Sequence, residues 1–302
     1  MSDEELYEFG KSRYYQYVNS YHQKVYDNLQ EVPKKQSLSN AWMVHRAGRV
    51  TASVCFQVSR MKNNPSLVNS IMQYTTFTSR FTEYGKETEQ FAKQKFHEME
   101  GNNHKDLVKF NGVGLQVDAD YPFLGAFPDG LVTCSCHGLA VLEVKCPYKF
   151  KESLDGWQND KNFPIDESLE MKQDHKYYFQ IQLQMDLCQA AFGYFFIYSG
   201  GSKEGILCIV PKNEHFVEEL KATLQEKSFN FILPEVICLK MDDKLDHDRS
   251  LYCVCRSPKF GHMIFCENET CKTKCYHYTC LDIARQPKGP WFCNDCKKMK
   301  LI

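Results

Sequence analysis

Apolar and polar positions alternate most clearly near the middle of the chain. In Val141-Leu142-Glu143-Val144-Lys145-Cys146, the residues Leu142, Val144 and Cys146 share one face of a strand, and Glu143 and Lys145 share the other. The first face suits a core; the second presents a carboxylate and an ammonium side by side. Strands are predicted over residues 113–117, 124–132 and 139–146, then over 192–198 and 206–210, the last two joined by Ser199-Gly200-Gly201-Ser202. Helical spacing runs over 84–99 and over 175–185, and a closing helix over about 213–227. Upstream, residues 1–33 are polar, aromatic and rich in helix formers, and Ser39 or Asn40 caps a helix over 41–46. Residues 151–170 are charged and polar and read as a loop. The predicted order is helix, three strands, helix, two strands, helix.

Composition narrows the classes. The 302 residues suffice for one medium domain and a small one, and 43% hydrophobic content supports a real core. A net charge of −1 gives no general attraction to nucleic acid, so any such contact depends on local basic patches. No apolar run is long enough for a membrane span, and the acidic start Met1-Ser2-Asp3-Glu4-Glu5 lacks a signal-peptide core. Fifteen cysteines without a secretory signal point to thiolates and metal in a reducing compartment, and eight of them fall in the last fifty residues.

The chemistry centres on the alternating strand. Asp129 precedes Glu143 by fourteen positions, with the turn-like Cys134-Ser135-Cys136-His137-Gly138 between them. A hairpin there brings Asp129 beside Glu143 and Lys145. Oxygen ligands of this kind suit Mg²⁺ or Mn²⁺, and a metal so held activates water against a phosphodiester. The plain alternative is an exposed Glu–Lys pair on a two-faced strand. Asp129 followed by Glu143-Val144-Lys145 resembles the PD-(D/E)XK nuclease signature. Pro128-Asp129-Gly130-Leu131 and Glu143-Val144-Lys145-Cys146-Pro147-Tyr148 resemble its YqaJ branch, to which phage lambda exonuclease belongs. The resemblance covers residues 36–235. It implies an α/β (α+β) restriction-endonuclease-like core, with a mixed central sheet flanked by helices. It also implies one or two Mg²⁺ (or Mn²⁺) ions on Asp129, Glu143 and the carbonyl of Val144, with Lys145 orienting the attacking water.

Other segments take roles from the same resemblance. Arg46-Ala47-Gly48-Arg49-Val50-Thr51-Ala52-Ser53 is similar to an element that contacts the phosphate at a DNA end, which assigns DNA phosphate binding to Arg46 and Ser53. Spacing alone reads it as a helix cap beside a solvated arginine. At helical spacing Glu89 shares an inward face with Gly85, Ala92 and Phe96, and it matches a family position beside the active site. It is the candidate accessory carboxylate. The helix with Gln180, Gln182 and Gln184 resembles the one that follows the E-x-K strand in YqaJ proteins. Gln182 is the first choice for a site glutamine and Gln180 the second. Asp118 and Asp120 read as turn residues. Cys134, Cys136, His137 and Cys146 are four soft groups within thirteen residues, but Cys-x-Cys-His in so tight a turn has poor tetrahedral spacing.

Near the C-terminus the cysteines acquire order: Cys253-x-Cys255, Cys266-x4-Cys271, His277-x2-Cys280 and Cys293-x2-Cys296. Such pairs signal two structural Zn²⁺, and about fifty residues need that metal to fold. The order resembles a PHD finger of the inhibitor-of-growth type, supported by Trp291-Phe292-Cys293 and Tyr252-Cys253. The resemblance implies interleaved sites: Cys253, Cys255, His277 and Cys280 for one zinc, and Cys266, Cys271, Cys293 and Cys296 for the other. It also implies histone H3 tail binding, with Tyr252 and Met263 at cage positions for a methylated lysine and Glu267 at an acidic position. The cage tryptophan is replaced by Cys275, which offers no π face. From Leu251 onward nine Lys/Arg stand against four Asp/Glu, a mildly cationic module.

The reading that results is a metal-dependent deoxyribonuclease, a 5′-to-3′ exonuclease on duplex DNA ends, with a finger for chromatin, a histone tail or another partner. Its expected parts are a helical extension (1–35), a nuclease domain (36–235), a linker (236–250) and the finger (251–298), in a nuclear protein. Lambda exonuclease is a ring-shaped trimer, so a homo-oligomer follows by analogy alone. Phe127 stands where the family usually has a small or hydroxylated residue, which implies a weakened end preference. The competing reading is a nuclease fold kept for gripping DNA, catalytically weak, with the finger as reader. A decayed site would lack one of Asp129, Glu143 and Lys145, and all three are present. RNA as substrate is left open by the metal site alone.

Overall fold

The alternating run forms the middle strand of a five-stranded sheet. The computed structural model describes residue 12, residues 46–73, 79–104, 106–111, 114–118, 120–121 and 123–236. Toward the C-terminus it describes 253, 263–268, 270–271, 273–281, 283, 287 and 289–299. The helical segments expected over 1–33 and 41–46 (apart from residues 12 and 46), the segment 241–250, Tyr252 and Cys255 lie outside the described residues. Val50–Lys62 and Phe77–Ser228 form one unit and the other segments a second; each is described by itself.

In chain order the elements begin with β1 (Val50–Thr51), α1 (Cys55–Ser59), α2 (Pro65–Ile71, in the second unit), α3 (Arg80–Glu100) and β2 (Val108–Asn111). They continue with β3 (Leu124–Gly125), β4 (Gly130–Cys134), β5 (Gly138–Lys145), α4 (Lys176–Leu187), β6 (Phe192–Tyr198), β7 (Gly205–Pro211) and α5 (Glu214–Lys227). The sheet order is β2-β4-β5-β6-β7. Only β5 and β6 run parallel, joined through α4; the other pairs are antiparallel. A separate two-residue ladder pairs β1 with β3 in parallel.

Helices cover both faces. A capping box starts α3: Ser79 Oγ accepts from the N–H of Thr82, and Thr82 Oγ1 accepts from that of Ser79. Ala92 and Phe96 of α3, four residues apart, pack with Leu142, Val144, Tyr194 and Phe196. On the other face Tyr178, Ile181 and Met185 of α4 pack with Val141, Phe195 and Ile197. The fit there is close: a Cβ on Gly193 would lie 2.7 Å from Ile181 Cδ1.

Several boundaries differ from expectation. The strand expected over 124–132 is interrupted between Gly125 and Gly130, where Pro128 has no N–H to offer a ladder. The strand before it lies at Val108–Asn111; within 114–117 only Gln116 pairs, in an isolated bridge with Ala126. The segment 151–170 is irregular, as expected, but it is not merely polar. Leu154, Phe163 and Ile165 are buried with Phe150 and Met171 in the core under α4. Their irregular spacing carries no period to read. Asp118 caps its own turn by accepting from the N–H of Asp120 (2.8 Å), and it joins a lysine–carboxylate network. Lys221 reaches Asp118 and Asp186 at 2.9 Å each, and Lys212 reaches Asp186 at 3.1 Å. Among the described residues no helix is long and apolar enough to cross a membrane.

In the second unit β8 (Met263–Phe265) and β9 (Cys275–His277) form an antiparallel pair, followed by α6 (Asn294–Met299). Buried Cys266, Cys271, Cys293 and Cys296 cluster there with Ile264 and Tyr276.

Candidate active site

The hairpin register assembles the acidic pair. Cys134 pairs with Gly138 and Gly130 with Leu142, so Asp129 enters β4 one step beyond, level with Glu143. The N–H of Val144 donates to Asp129 Oδ2 at 2.7 Å. Glu143 is buried at 2% exposure under α4. Its Oε1 accepts from Lys145 Nζ and from Gln180 Nε2, both at 2.5 Å, and its Oε2 from Gln184 Nε2 at 2.7 Å. Lys145 Nζ also stands 4.8 Å from the centre of the Tyr177 ring. Asp129, Val144 and Lys145 line an open cleft of about 550 Å³, together with Glu89 and Tyr177. Lys86, Lys149 and Lys176 line it as well, with Lys149 paired to Asp160 at 2.7 Å, so a chain with no net positive charge gathers four lysines beside Glu89, Asp129 and Asp160.

Burial, and then the neighbouring Glu143, push the Asp129 carboxyl up to about 7; Lys145 and the Val144 N–H pull the other way. Burial disfavours the Lys145 charge, but Glu143, Tyr177 and Asp129 outweigh it, and the ammonium is held more firmly than usual. The Asp129 carboxyl, which resists ionisation beside a second carboxylate, is relieved by a divalent cation. Oε1 of the buried Gln184 has no hydrogen-bond partner, an acceptor left over at the same place. The donor set therefore fits a hard cation.

Glu89 faces the cleft from α3 but is less inward than its helical position suggested. Its side chain is 37% exposed and pairs with Lys93 one turn on. Gln182 is a correction. Its Nε2 donates to Pro211 O (2.8 Å) and its Oε1 accepts from the N–H of Asn213 (2.9 Å), so it ties α4 to the start of α5. Gln180 and Gln184 reach Glu143 instead, because residues four apart share a helix face and the one between them points away. Gln184 was missed; the i, i+4 glutamine pair facing a strand carboxylate was the available signal. Ser53 is exposed, and its Oγ lies 3.1 Å from Thr51 Oγ1, just beyond the β1–β3 ladder that leads toward Asp129. Arg46 is half-buried and belongs to the second unit.

In the finger, Sγ of Cys266, Cys271, Cys293 and Cys296 all lie within 4.8 Å of one another. Of the other expected set, Cys253 is buried and donates its N–H to Cys275 O (2.8 Å), and Cys280 lies in a 3₁₀ turn after β9. The side chain of His277, like Cys255, is outside the described residues. Cys275 is fully buried, with its Sγ 3.9 Å from Met263 Sδ. Glu267 is exposed and donates its N–H to Trp291 O (3.0 Å).

The sheet, its flanking helices and the paired acids define an exonuclease-like α/β protein. The crystal structure of an alkaline exonuclease from Laribacter hongkongensis superposes with a TM-score of 0.51, over 68% of this chain and 98% of that one. At 20% identity the likeness is one of fold. The chain belongs to the YqaJ-like viral recombinase domain family, which matches residues 41–191. Its C-terminal region is homologous to PHD-finger proteins of chromatin. It is 39% identical over 64 residues to the chromatin modification-related protein YNG2 of Candida glabrata (21% of this chain, 23% of the relative). It is 36% identical over 62 residues to the PHD finger protein ING1 of Arabidopsis thaliana (20% and 26%). The chain thus spans about a quarter of the length of these curated relatives.

Proposed function

We propose that the protein is a metal-dependent deoxyribonuclease that degrades duplex DNA from its ends with 5′-to-3′ polarity, in recombination or DNA processing. The observation that carries this reading is the convergence of Asp129, Glu143 and Lys145 at one end of a lysine-lined cleft. Asp129, Glu143 and the carbonyl of Val144 are the ligands for one or two Mg²⁺ or Mn²⁺ ions. An ion held there would supply Lewis-acid polarisation of the phosphodiester and a more acidic water. Lys145 orients the attacking water and balances charge that develops on the phosphate. Gln180 and Gln184 hold Glu143 in place, Glu89 is the accessory carboxylate, and Arg46 and Ser53 are each candidates for a DNA phosphate contact.

The finger serves as the docking module, for a histone tail or another nuclear partner, with two Zn²⁺ on the eight ligands named above. The fully buried Cys275 in place of an aromatic wall favours a tail without methylation or a different ligand.

The test incubates the full chain with linear and closed-circular duplex DNA, with Mg²⁺ present or omitted, alongside Lys145→Ala. Degradation of linear DNA alone, dependent on Mg²⁺ and reduced at least ~100-fold in the variant, is expected. Equal degradation by the variant removes the assignment. Binding of DNA ends with no cleavage by the wild type establishes the gripping fold instead. Titration with methylated and unmethylated histone H3 peptides tests the finger.

A further inference from the structure

We propose that His104, Cys134, Cys136 and His137 form a structural zinc site at the tip of the β4–β5 hairpin, built from residues that neither the cleft nor the finger uses. The inference does not depend on nuclease activity. The four ligand atoms all lie within 4.8 Å of one another. Cys134 Sγ and Cys136 Sγ are 3.3 Å apart, His104 Nδ1 and Cys136 Sγ 3.4 Å, His104 Nδ1 and His137 Nδ1 3.2 Å, and Cys134 Sγ and His137 Nδ1 3.7 Å. Zn–S bonds of about 2.3 Å and Zn–N bonds of about 2.0–2.1 Å give a tetrahedron with edges of about 3.3–3.8 Å. The measured separations fall close to that range. Two thiolates and two neutral imidazoles balance the charge of one Zn²⁺.

The surroundings support metal ligation rather than chance proximity. His104 Nε2 lies 3.1 Å from Glu100 Oε2 and 3.1 Å from Tyr194 Oη. Glu100 is buried in the last turn of α3, and its Oε1 accepts from Asn103 Nδ2 at 3.3 Å. A carboxylate on the far nitrogen fixes the proton on Nε2 and turns the Nδ1 lone pair toward the cluster, the usual arrangement behind a zinc-bound histidine. The N–H of His137 donates to Cys134 Sγ at 3.3 Å, which stabilises a thiolate. Gly138, with a φ of 81°, allows the tight turn that folds three ligands together.

The turn is too short to complete a tetrahedron by itself, and the fourth ligand arrives from elsewhere. Cys146, close in sequence, follows the opposite end of β5, an eight-residue strand of about 26 Å. His104 comes instead from the segment just after α3. Four protein ligands fill the coordination shell, so the ion is structural. It fastens α3, which carries Glu89, to the hairpin that carries Asp129 and Glu143.

Zinc content of the full chain, purified without chelator, is measured by plasma mass spectrometry. The comparison is with Cys136→Ser/His137→Ala, whose side chains are exposed and whose loss leaves the core intact. A loss of one zinc equivalent is expected, with none lost in Cys146→Ser. Equal zinc in the wild type and the double variant overturns the site. An independent reading that needs no variant is ¹¹³Cd NMR of the loaded wild type. A resonance of two-sulfur, two-nitrogen character is expected, and its absence overturns the proposal.

Discussion

Single side chains at this site have separable duties. Gln184 and Gln182 sit two residues apart on one helix, yet one holds Glu143 and the other holds a loop. Gln184→Leu is expected to lower kcat at least ~10-fold while the fold is retained. Gln182→Leu leaves Pro211 O and the Asn213 N–H without their partner and is expected to destabilise by about 1–3 kcal/mol with kcat little changed. Urea unfolding and steady-state cleavage of linear DNA, run on both variants, separate the two roles. Asp129 supplies a pH test. Its folded-state pKa is raised, so the metal-free fold holds that proton more tightly than the unfolded chain does. Its contribution to stability is greatest at low pH and falls as pH rises between the ordinary carboxylate value and about 7. Without divalent ions Asp129→Asn is therefore expected to melt higher than wild type at about pH 8 and to match it near about pH 4. A variant that melts lower at the alkaline end contradicts this.

At the scale of elements, the lysine–carboxylate network and the close helix–sheet fit hold the scaffold of the cleft. Asp186→Ala deprives Lys212 and Lys221 of a shared partner and is expected to destabilise by about 1–2 kcal/mol, more at low salt than at high. Gly193→Ala forces α4 off β6 and is expected to cost about 1–3 kcal/mol, read by thermal unfolding. Elements with a strong period were legible in the sequence: α3, α4, α5, β5 and β6 lie within a few residues of their expected bounds. The Asp129–Glu143 juxtaposition was legible too, because a short turn between two strands leaves few registers. The split between β3 and β4 was not, since it depends on a ladder with β1 more than seventy residues upstream. The glutamine that faces Glu143 depends on helix rotation, which a helix with apolar residues on most sides does not reveal. The buried Phe163 and Ile165 were hidden for the opposite reason, as apolar residues in a segment without a period.

For the whole molecule, the two cysteine-rich clusters and the cleft respond to different perturbations. Cys293→Ser breaks the cluster of Cys266, Cys271, Cys293 and Cys296 and is expected to release zinc and abolish partner binding. Cleavage of naked DNA is expected to stay within about twofold of wild type, because the ligands of the two sites share no residue. Gel-based cleavage and peptide titration on the same preparation check both halves of that statement. The soft-donor cluster in the finger also changes how a routine control must be interpreted. EDTA takes up zinc far more avidly than magnesium, so inhibition by chelator reports on whichever ion is lost, including one that never meets the substrate. Recovery of cleavage on adding back magnesium alone, after dialysis, is the result that singles out the ion at the acids.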